Sequence, residues 1–238
     1  MSAHSNQPPK NWLNDLPSNR LLAEMSLWSA DLGAISADTK RVEKHTDIFH
    51  VDVADGHFSP ALLYFPDLLV AVRMATTKPL HVHLMVSDAV LLSQTEQFIE
   101  AGADLISVHV ENANGLQALE MVRQAGLKSG VVLQLHTKVA EAQKFLDHVQ
   151  MLTLLGTRIG VKGQGLDGEA YGRMREARAM VKAHGQHRII VAADGGIRDQ
   201  TVPGLRAAGA ETIVMGSLAF GALDLAQRMA WVHNQKVA

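Results

Sequence analysis

Four side chains able to hold one divalent cation lie at the ends of three short apolar runs: His50 and Asp52 in IFHVDVAD, His83 in PLHVHLMV, and Asp194 in RIIVAADGG. Two imidazoles and two carboxylates suit a single divalent ion, with coordination positions left for a substrate oxygen. Side chains alternate across a strand, so His50 and Asp52 share one face, and His81 and His83 share another. Only the later residue of each pair need reach an open strand end. A carboxylate between Val51 and Val53 is costly to bury unless it is paired or bound to metal. Taken singly, each residue also suits a plain structural hydrogen bond; four together favour the ligand reading.

A second set is glycine. Gly195 and Gly196 follow one apolar run, and Gly216 with Ser217 follows the next. Glycines at such loops either turn the chain or bring backbone N–H groups close to an anion, and their occurrence in two successive loops favours phosphate. Ser26 and Met85 fall on the faces that would look into the same mouth, one as a hydrogen-bond donor and one as an apolar shield, or both as ordinary core. His109 is expected as a polar lining residue, and His136 carries a weaker signal. The stretch 51–66 holds Asp55-Gly56, Pro60 and Pro66, together with Phe58, Leu62, Leu63, Tyr64 and Phe65. It reads as a wall of the site, a subunit contact, or both.

Eight apolar runs would position these groups: 21–28, 47–53, 79–85, 104–110, 128–135, 151–156, 188–193 and 212–217. Segments of helical period, such as SDAVLLSQTEQFIEAGA and NGLQALEMVRQAG, separate them and end at glycine. Ala-Gly-Ala recurs at 101–103 and 208–210, each time leading into a strand. The pattern predicts a single α/β domain, a (β/α)8 TIM barrel over 21–238, with its chemistry at the C-terminal strand ends. Residues 1–20 are expected as an N-terminal extension over one barrel end, anchored by Trp12 and Leu13.

Composition narrows the function. The 238 residues are 47% hydrophobic and 19% charged with a formal charge of −2, which argues for a globular interior and against nucleic-acid binding. No apolar run approaches the roughly 20 residues of a membrane span. The sequence has no cysteine, which removes thiolate chemistry and leaves its 12 histidines and the carboxylates as ligands. The polar start, with Pro8 and Pro9, lacks the pattern of a secretory signal, so a cytoplasmic location is expected.

In order along the chain, SLWSAD, HVDVADGHFSP, HVHLMV, AGADLISVHVE, ADGGI and MGSLAFG resemble the motifs of the ribulose-phosphate 3-epimerase family, from about residue 22 to 225. The resemblance implies a barrel of the ribulose-phosphate-binding type and a homo-oligomer. It implies one divalent ion (zinc, iron, manganese or cobalt) on His50, Asp52, His83 and Asp194, with Asp52 and Asp194 doubling as acid and base. Ser26, Met85, Gly195, Gly196, Gly216 and Ser217 would contact a phosphorylated ketose. The implied reaction is inversion at C3, ribulose 5-phosphate to xylulose 5-phosphate, through an enediolate.

Departures from the family pattern concern the walls. Arg158-Ile159-Gly160-Val161-Lys162-Gly163-Gln164 stands where Asn-Pro-Gly-Phe-Gly-Gly-Gln is usual. Ala54 and Leu155 replace methionines, and Ala61 replaces an asparagine. Arg158 and Lys162 either hold extra negative charge on a substrate or serve as solvated loop cations. Another ketose phosphate, such as a hexulose 6-phosphate, is therefore an alternative substrate. A phosphate-binding barrel without epimerase activity is a further alternative. A lyase or decarboxylase is disfavoured because no strand run ends in Asp-x-Lys.

Overall fold

The computed structural model describes residues 6–236. Residues 1–5 of the expected extension and 237–238 of the expected barrel segment lie outside the described residues. Eight parallel strands close on themselves: β1 (Leu22–Ser26), β2 (Ile48–Asp55), β4 (Leu80–Met85), β5 (Leu105–His109), β6 (Lys128–Leu133), β7 (Met151–Leu155), β8 (Ile190–Asp194) and β9 (Thr212–Met215). β1 pairs with both β9 and β2, which completes the ring. Each strand coincides with one of the eight apolar runs, β2 running two residues past its run to Asp55 and β8 one residue past its run to Asp194. The ninth strand, the two-residue β3 (Leu62–Leu63), pairs antiparallel with the end of β2. It is too short to show periodicity, and nothing in the sequence pattern anticipates it.

Helices cover the outside: α2 (Ile35–Val42), α3 (Pro66–Arg73), α4 (Asp88–Glu100), α5 (Gly115–Gln124), α6 (Ala170–His184), α7 (Val202–Ala207), α8 (Ser217–Phe220) and α9 (Leu225–His233), after a short α1 (Trp12–Asp15). α3 begins on proline, where the missing N–H costs nothing, and α9 is capped by Asp224, whose carboxylate accepts from the Gln227 N–H. The glycines after α4 and α5 adopt the left-handed backbone that ends a helix, with φ of +96° at Gly102 and +78° at Gly126. Between β6 and β7 the crossover is a 3₁₀ stretch, Val139–His148, in place of an α-helix.

Alternation sorts the strand residues by face. Phe49, Val51, Val53, Val82, Leu84 and Val108 pack outward with the helices in the main core. Facing inward, Leu22, Ile48, Leu105, Met151 and Ile190 at the strand starts form a separate apolar layer with Trp12 and Leu13. The N-terminal segment thus closes the barrel floor, and Arg188 holds it by donating to the carbonyls of Leu13 and Leu16 at 3.1 and 3.3 Å. Above that layer the barrel interior turns polar, with Glu24, His50, His81 and Ser107 all buried. Gly130 makes room there, because a Cβ at that position would collide with the Ser107 hydroxyl.

Candidate metal centre and active-site cleft

Register brings the polar residues together in rows. Ser26 lies opposite His50, Asp52 opposite His83, and His83 opposite Ser107, while Asp194 ends β8 across the mouth. The ligand atoms of His50, Asp52, His83 and Asp194 all lie within 4.8 Å of one another. Asp52 Oδ1 is 3.1 Å from His50 Nε2 and 3.3 Å from His83 Nδ1; Asp194 Oδ2 is 4.0 and 3.8 Å from the same nitrogens. Two residues deeper, Glu24 Oε2 accepts from His50 Nδ1 at 3.0 Å and from His81 Nδ1 at 2.7 Å. A carboxylate only accepts, so both Nδ1 atoms carry hydrogen, and His81 Nε2 is left to accept from Ser107 Oγ at 2.7 Å.

Electrostatics separates the two aspartates. Burial by itself raises a carboxyl group, yet at Asp52 the His50 and His83 imidazoles outweigh it and hold the group far below the usual range. At Asp194 burial prevails over the attraction of His50, and the negative charge of Asp52 adds to it, so the group is pushed up to about 6. His50 is raised despite burial because Asp52, Glu24 and Asp194 all favour its cation. Glu24, where the two imidazoles overcome burial, is lowered to about 2. His109 is lowered to about 4, burial outweighing Glu111. One mouth therefore holds a carboxylate poised to stay ionised and another poised to take a proton.

The centre opens into a cleft of about 620 Å³. Ser26 lines it and donates to Asp52 Oδ2 at 3.0 Å. Met85 is buried on the adjacent wall, and Gly195, Gly196, Gly216 and Ser217 line the far side. Gly195 and Gly196 take φ of +82° and +70°, a left-handed pair closed to most side chains, and a Cβ on either would strike Thr157 or Leu166. Arg158 and Lys162 also line the cleft, with Lys162 Nζ 4.7 Å from the centre of the Trp28 ring and donating to the Trp28 carbonyl. The loop that carries them packs on the β2–β3 loop, where Gly160 fits only for want of a Cβ against Ser59 and Pro60.

The expected placement of His109 is corrected. It has no exposed surface and lies behind His83, with the Phe58 ring tilted against it at 59° and 4.9 Å between centres. It pairs with His83 across a 2.9 Å contact between their Nε2 atoms. His136 is exposed. Sequence reading passed over Glu24 and the His81 pairing. The available signal was the one used for Asp52, a charge inside an apolar run, two positions from Ser26 on the same strand face. The 51–66 segment is divided: Phe58 and Tyr64 face inward, the latter donating to the Leu27 carbonyl at 2.6 Å, whereas Leu62 and Phe65 are exposed.

A closed eight-stranded barrel with an imidazole–carboxylate cluster at its C-terminal mouth, glycine loops opposite, and a cleft between them defines an α/β-barrel enzyme. Solved barrels share the fold. These include 3-keto-L-gulonate-6-phosphate decarboxylase from Vibrio cholerae (TM-score 0.68, 15% identity, 90% of this chain and 99% of that one) and 3-hexulose-6-phosphate synthase from Salmonella typhimurium (0.66, 18%, 89% and 96%). The model of the ribulose-phosphate 3 epimerase family matches residues 22–220. Ribulose-phosphate 3-epimerase of Bacillus subtilis is 33% identical over 89% of this chain and 97% of its own length, and that of Synechocystis 34% identical over 92% and 96%. The chain belongs to the ribulose-phosphate 3-epimerase family and is an isomerase-class enzyme, an epimerase. No helix among the described residues is long and apolar enough to cross a membrane.

Proposed function

We propose that this enzyme inverts C3 of a ketose phosphate, interconverting ribulose 5-phosphate and xylulose 5-phosphate through an enediolate, with Asp52 and Asp194 as the proton-transfer pair. The observation that carries the reading is that two carboxylates of opposite proton affinity come from β2 and β8 into one cleft. Inversion at carbon needs one such group on each face of the planar intermediate, one to take a proton and the other to give one. In one direction Asp52, held ionised by His50 and His83, takes the C3 proton, and Asp194 returns one to the opposite face. In the reverse direction the roles exchange.

The donor set fits a divalent cation. His50 Nδ1 is committed to Glu24, so in the neutral ring Nε2 presents a lone pair toward Asp52 and Asp194. These acceptors call for positive charge between them, which a proton on His50 supplies in the metal-free protein and a divalent ion would supply in its place. Separations of 3.1 to 4.0 Å match those around an ion with bonds of about 2.1 Å. His50, Asp52, His83 and Asp194 would hold the ion, the metal being zinc, iron, manganese or cobalt. When bound, it polarises the substrate oxygens flanking the reacting carbon and stabilises developing negative charge. Ser26 keeps Asp52 oriented through its 3.0 Å hydrogen bond. Met85 excludes water from the reacting carbon. Backbone N–H groups at Gly195, Gly196 and Gly216, with Ser217, receive the phosphate. Through Trp12 and Leu13 the N-terminal extension acts as a closure of the barrel floor, and the exposed Leu62 and Phe65 belong to a homo-oligomer contact. The enzyme is cytoplasmic.

One observation favours a different ketose phosphate. Lys162 and Arg158 bring two basic side chains to the cleft wall; burial lowers the proton affinity of Lys162, and the charge of Asp52 offsets only part of that. A longer or more anionic sugar, such as a hexulose 6-phosphate, would use them. Incubating metal-loaded enzyme in D2O with a panel of pentulose and hexulose phosphates decides the matter by NMR. Deuterium at C3 together with the 3-epimer is expected for at least one of them. Absence of both from every substrate would leave a phosphate-binding barrel without this activity.

A further inference from the structure

His83 is held from behind by a polar chain that runs out of the cleft to the barrel's outer helices. Its Nε2 meets His109 Nε2 at 2.9 Å, the two rings meeting edge to edge with centres 5.0 Å apart and planes 27° apart. His109 Nδ1 meets Glu111 Oε2 at 3.1 Å. The other Glu111 oxygen accepts from the Gln134 N–H at 3.0 Å and from the Thr137 hydroxyl. The loop bearing those two donors is fixed in turn by Arg173 of α6. Its guanidinium donates to the Thr137 and Gln134 carbonyls at 2.5 and 2.9 Å.

The proton positions along this chain follow from one acceptor-only group. Glu111 can only accept, so His109 Nδ1 carries hydrogen and the Nε2 of the neutral ring is a lone pair. In the neutral ring His83 Nε2 must then be the N–H that fills it, which leaves the Nδ1 of that ring, 3.3 and 3.8 Å from Asp52 and Asp194, with its lone pair free. That is the tautomer a ligand needs. We infer that His109 and Glu111 are positioning residues that set the tautomer of His83 through two imidazoles in series, so that Glu111, two residues removed from direct contact, governs metal affinity at the centre. The inference rests on the proposed metal role of His83.

Glu111→Gln inverts the relay without removing bulk. Its amide oxygen keeps Gln134 and Thr137, which turns the NH2 group toward His109 Nδ1. His109 then carries its hydrogen on Nε2, and His83 is left with hydrogen on Nδ1, where it blocks a metal. His109→Gln provides the complementary variant, because a glutamine oxygen accepts from His83 Nε2 without help from Glu111.

The test is zinc titration of metal-free protein against a chromophoric chelator, for the parent, both single variants and the double variant. Glu111→Gln should bind zinc about 10- to 100-fold more weakly. Adding Glu111→Gln to His109→Gln should change affinity by less than about threefold, since the relay is already bypassed. A merely structural role for Glu111 would give the same loss in both backgrounds and would overturn the inference, as would a Glu111→Gln single variant with parental affinity. A parent that takes up no zinc overturns the metal reading itself, an outcome distinct from either of these.

Discussion

Replacing Glu24 with glutamine removes the one charge around which the polar layer of the barrel is built while keeping the shape of the side chain. In the folded protein the carboxylate is fully buried and accepts two imidazole N–H groups, and its proton affinity falls from the usual 4.5 to about 2. A shift of that size corresponds to about 3 kcal/mol of folding stability at neutral pH. Two charge-assisted hydrogen bonds at about 1.5 kcal/mol each lead to the same figure. For a domain of this length the expected fall in melting temperature is about 6–12 °C at pH 7. The sign follows from the depressed value: the contribution is complete above about pH 4.5 and fades as pH falls toward about 2. The gap between parent and Glu24→Gln, followed by circular dichroism melts of metal-free protein, should shrink to less than half by pH 3. A Glu24→Gln melt within about 2 °C of the parent at pH 7, or a gap unchanged between pH 7 and pH 3, would mean that the buried Glu24 charge does not stabilise the fold.

Asp194→Asn retains the side-chain shape but not the proton, and should lower deuterium incorporation at C3 by at least 10²- to 10⁴-fold, the range for a lost general acid–base; exchange at the parental rate would remove Asp194 from the chemistry. Ser217→Ala should raise KM for the ketose phosphate about tenfold with little change in kcat, as loss of one phosphate hydrogen bond implies. A kcat effect without a KM effect would place Ser217 elsewhere. Trp12→Ala opens the apolar barrel floor and should cost about 3–5 kcal/mol in chemical denaturation; a loss below about 1 kcal/mol would mean that the N-terminal segment does not close the floor.

The eight strands and their order were legible because both faces of a barrel strand are buried, which makes valine, isoleucine and leucine runs nearly continuous. His50, Asp52, His83 and Asp194 stood out because a charge or imidazole in such a run has few inexpensive explanations. Glu24 carries the same signal, but it lies below the strand end, inside the barrel, and its partners His50 and His81 reach it from two other strands. His109 was placed on the correct strand face and misjudged in depth, since the packing of Phe58 and the approach of Glu111 depend on loops that periodicity does not describe. The partnership of Arg173 with the loop at 134–137 joins residues nearly forty apart, and only the closed ring brings them together. β3 and the 3₁₀ crossover at Val139–His148 escaped for a related reason. Two residues carry no period, and a tight helix of ten shares the apolar spacing of an α-helix.

One ion is expected among side chains from β2, β4 and β8. Crystals soaked in zinc and measured at the zinc absorption edge test it directly. The expected result is one anomalous peak about 2.0–2.2 Å from His50 Nε2, His83 Nδ1, Asp52 and Asp194. A peak seated instead among Glu24, His50 and His81, or no peak at the mouth in crystals that hold zinc elsewhere, would contradict it.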